Sequence, residues 1–289
     1  MAKYKIFVDT SADIPMDLAE KNDIGVISFL SIFGETSYVT GVEISNEEFY
    51  KKLTSSDEIP TTSQTPYADF YDTLLKASLE NDTVIYFAIS SKASGQYNTA
   101  CMIREEILEG DNPNADIRII DTQKFSAYIT AAALYAKELL DGGMGIDETL
   151  EKCYKYLNSY EAYMLVDSLK YLEKGGRINK TSAIVGTLLD IKPVLTIKDG
   201  LIEAVEKLRG KKKLCKKLVE LMKENPDFDD ENPEFFIVQS DEDTGEEMRE
   251  LLIEEFGIDD VKLYLEFGPV VGTHIGPGCI GVVFKLKDK

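Results

Sequence analysis

Residues 83–96 read TVIYFAISSKASGQ. The first seven form a short apolar run without a polar break, which predicts a central parallel strand buried on both faces. The small polar residues Ser90 to Gly95 follow, and a helical pattern runs over residues 96–109. Strand, small turn and helix in that order are the repeating unit of an α/β fold. The turn falls at the carboxyl end of the strand, where open parallel sheets place their ligands. Ser94 lies beside a helix N-terminus, where backbone N–H groups and the helix dipole favour an anion. It is equally suited to cap that helix.

Working outward, the same alternation recurs. Residues 4–8 read as a strand, and Pro15 suits the first turn of a helix after it. Val26, Ser28 and Leu30 begin a second extended run. Ser45 and Glu48 form a capping box with Ile44 and Phe49 as its hydrophobic staple, so a helix should start at Asn46. A strand at 117–120 and an alanine-rich helix ending near Gly142-Gly143 complete the first half. Repeated β-then-α order implies a mainly parallel sheet flanked by helices on both faces.

The second half differs. Residues 181–191 read as an apolar helix ended by Pro193. Asp199-Gly200 between two extended runs, 194–198 and 201–208, signals a two-residue hairpin. A lysine-rich helix, a strand at 235–239 and an acidic helix over 244–256 follow. Strands at 261–267 and 279–286 then enclose a glycine-rich loop. This pattern predicts a mixed sheet with helices mainly on one side. The fold expected is therefore α/β in two domains, residues 1–160 and 161–289.

Composition narrows the chemistry. The chain has 289 residues, with 32 basic against 52 acidic and a net charge of −20. That field repels nucleic acid and anionic membrane surfaces. No stretch approaches the roughly 20 apolar residues of a membrane span, and no basic-then-apolar leader opens the chain. A cytoplasmic protein without stable membrane insertion is expected. The four cysteines are scattered and form no C-x-x-C pair, as for reduced thiols. One histidine, His274, excludes any metal site that needs two imidazoles.

Residues 276–281 match G-x-G-x-x-G, but they lead into a strand where a dinucleotide site needs a helix. No G-x-x-x-x-G-K-[ST] is present. Thr61-Thr62-Ser63-Gln64 lies between Pro60 and Pro66 on a stiff loop. It suits ligand binding, or Thr65 caps the helix that starts near Pro66. Arg177 follows Gly175-Gly176 at the end of a short helix. Its planar fork suits a carboxylate or phosphate, or a surface ion pair. Gly272-Thr273-His274-Ile275-Gly276-Pro277-Gly278 places the histidine where a glycine-rich backbone can approach a ligand closely. The cluster Arg209, Lys211, Lys212, Lys213, Lys216 and Lys217 reads as a solvated face.

Taken in order, six segments resemble the DegV family, whose characterised members are lipid-binding subunits of bacterial fatty acid kinases. They are Val8 to Pro15, Thr62-Ser63-Gln64, Ser91 to Gly95, Leu169 to Ile178, Ile191 to Leu195 and Gly272 to Gly278. The resemblance spans nearly the whole chain. It departs after Asp121, where the family has a small glycine-rich segment and this chain has Phe125-Ser126-Ala127-Tyr128. It implies a long-chain fatty acid as ligand and no other cofactor. Thr62 and Ser94 would bind the carboxylate, His274 and Arg177 would lie close to it, and Thr61, Gly95 and Thr273 would be ligand-binding residues as well. It implies a separate ATP-dependent fatty acid kinase subunit as partner, with the acyl phosphate passed to phospholipid synthesis. The chain itself is then not an enzyme.

The rival is an enzyme in which His274 activates Ser94 for acyl transfer or hydrolysis. Lys92 and Gln96 stand where a G-x-S-x-G elbow needs glycines. A long apolar cavity would separate a carrier from the related dihydroxyacetone kinases, which capture a small ketone.

Overall fold

The computed structural model describes residues 3–56, 58–178, 191–209 and 213–287, with the backbone alone for Ile191. The chain opens with β1 (Tyr4–Asp9), a 3-10 turn at Thr10–Ala12, α1 (Met16–Lys21) and β2 (Ile24–Ile27). Next come β3 (Leu30–Phe33), β4 (Thr36–Val39), α2 (Asn46–Ser55) and β5 (Thr61–Ser63). Then follow α3 (Tyr67–Glu80), β6 (Thr83–Ala88), α4 (Gln96–Glu109), β7 (Asp116–Asp121), α5 (Ala127–Asp141) and α6 (Ile146–Asn158). The second half runs β8 (Tyr160–Leu165), α7 (Lys170–Gly175), β9 (Ile191–Lys198), β10 (Leu201–Arg209) and α8 (Leu214–Lys223). It ends with β11 (Phe235–Gln239), α9 (Glu242–Phe256), β12 (Leu263–Glu266), α10 (Pro269–Ile275) and β13 (Ile280–Lys285).

β6 is buried along its whole length and lies between β1 and β7 in a parallel sheet of order β2-β1-β6-β7. Its alternate residues serve two cores, as a strand's period of two requires. Val84, Tyr86 and Ala88 pack outward with residues of α3 and α4, and Ile85 and Phe87 pack inward toward α5. The second sheet is mixed, in the order β10-β9-β8-β13-β11-β12. On its outer face Tyr163, Phe235, Ile237 and Phe284 meet α8 and α9. Its inner face carries Ala162, Met164, Phe236 and Val238, which share one core with the first sheet.

α5 is the layer between the two sheets, touching β1 and β6 on one side and β11 and β12 on the other. That position explains its composition. A helix pressed between two sheets is apolar on every side, and residues 127–133 are all buried. Alanines at 127, 131, 132, 133 and 136 keep it thin enough for both sheets to approach. Of the second half's helices, α8 and α9 lie on the outer face of the second sheet, whereas α7 and α10 pack toward the first half. The sheet's other face is closed by α5, from the first half.

The α2 capping box forms as the sequence predicts, with Ser45 and Glu48 bonding reciprocally. The hairpin at Asp199-Gly200 has both residues at positive φ, 50° and 79°, as a tight two-residue turn demands. Three local expectations change. Residues 61–63 are a strand, β5, paired with β3 in a small β4-β3-β5 sheet. The glycine-rich stretch is a helix, α10, with Pro269 in its first turn and Gly276 just past its end. β9 begins at Ile191, ahead of Pro193, so that residue belongs to a strand. The apolar helix expected at 181–191 otherwise lies outside the described residues, as do Lys211 and Lys212 of the basic cluster.

Among the described residues no helix is long and apolar enough to cross a membrane. Within the same residues no group of three or more His, Cys, Asp or Glu is placed to hold a metal ion. The four cysteines are unbridged.

Candidate functional site

Four elements converge where the carboxyl end of β6 meets the second half. The turn after β6 carries Ser94, β5 carries Thr62, α10 carries His274, and Arg177 follows α7. All four residues line one hollow, which measures about 530 Å³ with its mouth included. The rest of the wall is mainly apolar, with Phe29, Ile89, Phe125, Ile202, Val270 and Ile275 contributing. Thr61, Gly95 and Thr273 do not reach this wall. Thr61 and Gly95 are exposed, and the buried Thr273 hydroxyl donates to the Pro269 carbonyl one helical turn back.

The polar corner is built by close packing. Thr62 Oγ1 and His274 Nε2 are 3.1 Å apart. Arg177 Nε donates to the Ala93 carbonyl at 3.2 Å, and its guanidinium also donates to the Gly175 carbonyl. Arg177 is thereby fixed to the turn that bears Ser94. Ser94 Oγ accepts the Gln96 N–H at 3.2 Å, while the N-cap position of α4 is Gly95 and has no side-chain cap. Ser94 thus keeps its hydroxyl proton for another partner. Thr65 does not cap α3 either: its hydroxyl donates to the Ser28 carbonyl, and Pro66 holds the cap position.

His274 is electrically neutral here. Burial, reinforced by the Arg177 charge, holds its pKa down at about 4. Its Nδ1 is buried without a hydrogen-bond partner. Leaving a buried N–H unpaired costs more than leaving a ring lone pair against carbon, so the proton belongs on Nε2. His274 then donates to Thr62 Oγ1, and the Thr62 hydroxyl proton is free to point into the hollow. The corner offers two hydroxyl donors and one permanent cation, an arrangement suited to a carboxylate or phosphate.

The β9–β10 hairpin reaches this site although nothing in its sequence marks it as functional. Ser90 Oγ donates to the Gly200 carbonyl at 2.7 Å, and a Cβ on Gly200 would stand 2.5 Å from that oxygen. Only glycine permits the tip of the second sheet to dock on the first.

Behind the site, Asp13 joins three segments. Its carboxylate accepts the Gly268 N–H at 2.9 Å, at the start of α10, and the Ser126 hydroxyl at 2.5 Å, at the start of α5. Burial raises its pKa to about 8.

A family model described as "Uncharacterised protein, DegV family" matches residues 3–287. A fatty acid-binding protein of Thermotoga maritima is 33% identical, with 99% of each chain covered. Among solved structures, a fatty acid binding DegV family protein from Streptococcus agalactiae superposes with a TM-score of 0.86. It is 31% identical over 100% of both chains. A stearic acid-binding protein from Eubacterium ventriosum gives a TM-score of 0.87 at 26% identity, covering 98% of each.

Proposed function

The chain belongs to the DegV family, and from that premise we propose that it is a carrier for one long-chain fatty acid. The observation that carries the reading is the hollow itself: an apolar wall with Thr62, Ser94, His274 and Arg177 gathered at one corner. Each buried CH₂ contributes about 0.8 kcal/mol, so a long chain offers on the order of 10 kcal/mol before ordering costs. A carboxylate leaving water must recover its hydrogen bonds and charge partner. The two hydroxyls supply the first and Arg177 the second.

The carboxylate faces the corner where a partner can reach it. In this reading a separate ATP-dependent kinase converts the bound acid to an acyl phosphate, which the carrier passes to phospholipid synthesis in the cytoplasm. The chain contributes binding and presentation, and the kinase contributes the chemistry. The hydrolase alternative finds no support in the geometry, because His274 Nε2 meets Thr62 and Nδ1 has no partner. Nδ1, which keeps the lone pair, packs against the α-carbon of Gly175, so neither ring nitrogen bonds Ser94.

Native mass spectrometry of the purified protein, followed by extraction and lipid analysis, tests the carrier. About one fatty acid per chain is expected, as for one polar corner that binds one carboxylate. Absence of lipid together with no uptake of added palmitate or oleate would overturn it. Ester hydrolysis that vanishes in Ser94→Ala would favour the enzyme instead.

A further inference from the structure

Phe125 stands between two hollows. One is the site just described. The other is a narrow gap of about 10 Å³, room for one water-sized sphere, between α5 and the inner face of the second sheet. Its lining includes Tyr128, Met164, Ile197, Val238, Phe267 and Val283, and Phe125 is common to both walls. The distal hollow presents an apolar surface, so water gains little by filling it.

The segment that carries the ring is fastened at almost every residue. Thr122 Oγ1 donates to the Ala88 carbonyl at 2.8 Å, and Gln123 N–H donates to Asp121 at 3.1 Å. The Lys124 carbonyl accepts the Ser90 N–H at 3.0 Å, and Ser126 N–H donates to the Ser11 carbonyl at 2.7 Å. Gln123 and Ser126 flank it at φ 53° and 59°, and Ser126 adds ψ −137°, a conformation that side-chain-bearing residues rarely adopt. Asp13 holds that strained residue through its hydroxyl. The ring is 5% exposed. A backbone this constrained makes Phe125 a fixed partition between the two hollows.

We propose that Phe125 is the stop that sets the longest acyl chain this protein accepts, because its ring fills the space that would otherwise join the site to the narrow gap behind it. The proposal rests on the carrier reading and adds the residue that determines its length specificity. Affinities for saturated acids from lauric to arachidic, read by displacement of a fluorescent fatty acid, test it. Each added methylene should tighten binding about fourfold until the chain end meets the ring, and then the gain should stop. In Phe125→Ala the fourfold steps should continue past that length. Phe125→Leu should give a shorter extension, and it reads the same effect if the alanine variant does not fold. A limit at one length in all three proteins, or no limit in the wild type, would overturn the proposal while leaving the carrier intact. A wild type that binds none of the series would overturn the carrier reading as well.

Discussion

The imidazole of His274 rests directly on the α-carbon of Gly175: a Cβ there would stand 2.3 Å from Nδ1. The first glycine of the Gly-Gly-Arg segment therefore positions the histidine, and the second, at φ 68°, closes α7 in a left-handed cap. Gly276 completes the fit from the other side, since a Cβ on it would lie 2.3 Å from Tyr171. Helices α7 and α10 approach this closely because these positions lack side chains.

Gly175→Ala should push the ring away from Thr62 and weaken fatty-acid binding about tenfold, in line with the roughly 1–3 kcal/mol of overpacking. In a His274→Ala background the same change should cost little more, because the displaced ring is gone. Calorimetric affinities for the two single variants and the double variant give the coupling. Additive losses would mean that Gly175 acts elsewhere.

On the carrier reading, Thr62→Val and Ser94→Ala would each remove one hydrogen bond to the carboxylate, worth about 1.5–3 kcal/mol. Affinity should fall roughly ten- to a hundredfold in each. Thermal midpoints should fall by a few degrees as well, because Ser94 Oγ accepts the Gln96 N–H at the start of α4 and Thr62 Oγ1 is the partner of His274 Nε2. Lowered midpoints with unchanged affinity would assign both residues to the scaffold.

Much of this site was legible in the chain because its residues sit on strong local signals. Ser94 follows a buried strand, and Arg177 follows a glycine pair. What stayed hidden depends on distant partners. β5 is three residues long and has no periodicity of its own; it is a strand only because β3 lies beside it. α10 contains Gly272 and Thr273, which are poor helix formers. It is held by packing so close that a Cβ on Gly272 would stand 2.8 Å from Phe49 and Tyr50. Pro269 in its first turn and Gly276 past its end were the start and stop signals that could have identified it. The roles of Phe125 and Gly200 follow from how two sheets meet, which no window of sequence contains.

Asp13 offers a test through pH. Its folded pKa, about 8, lies above the ordinary carboxylate value, so the folded state binds a proton that the unfolded state has released. Its contribution is then fully present below about pH 4 and is lost as pH rises toward 8. Asparagine mimics the protonated form, accepting from Gly268 and donating to Ser126. Asp13→Asn should match the wild type at about pH 4 and exceed it by a growing margin as pH rises toward 8, in urea titrations across that range. A constant difference at every pH would show that Asp13 is ionised throughout.

His274 predicts the opposite of a pH switch. With its pKa held near 4, the ring carries no charge at neutral pH. Fatty-acid affinity should stay flat between about pH 6 and pH 8, because Arg177 remains charged throughout. A tenfold loss across that interval would identify a protonated histidine as the anchor.

Arg177 separates binding from presentation. Nε and one terminal nitrogen are occupied by the Ala93 and Gly175 carbonyls, leaving further donors of the fork for an anion. A carboxylate already has the Thr62 and Ser94 hydroxyls. On the proposed kinase reading an acyl phosphate would bring more negative charge to the same corner, and the guanidinium would gain more from that product than from the acid. If the proposed kinase acts on the bound acid, Arg177→Ala should reduce fatty-acid affinity about tenfold and acyl phosphate formation by about a further tenfold. Arg177→Lys should resemble alanine more than wild type, because an ammonium cannot span both carbonyls and still face the ligand. Measuring lipid affinity and phosphorylation on the same preparations decides the matter. Equal losses in the two would place Arg177 in ground-state binding alone.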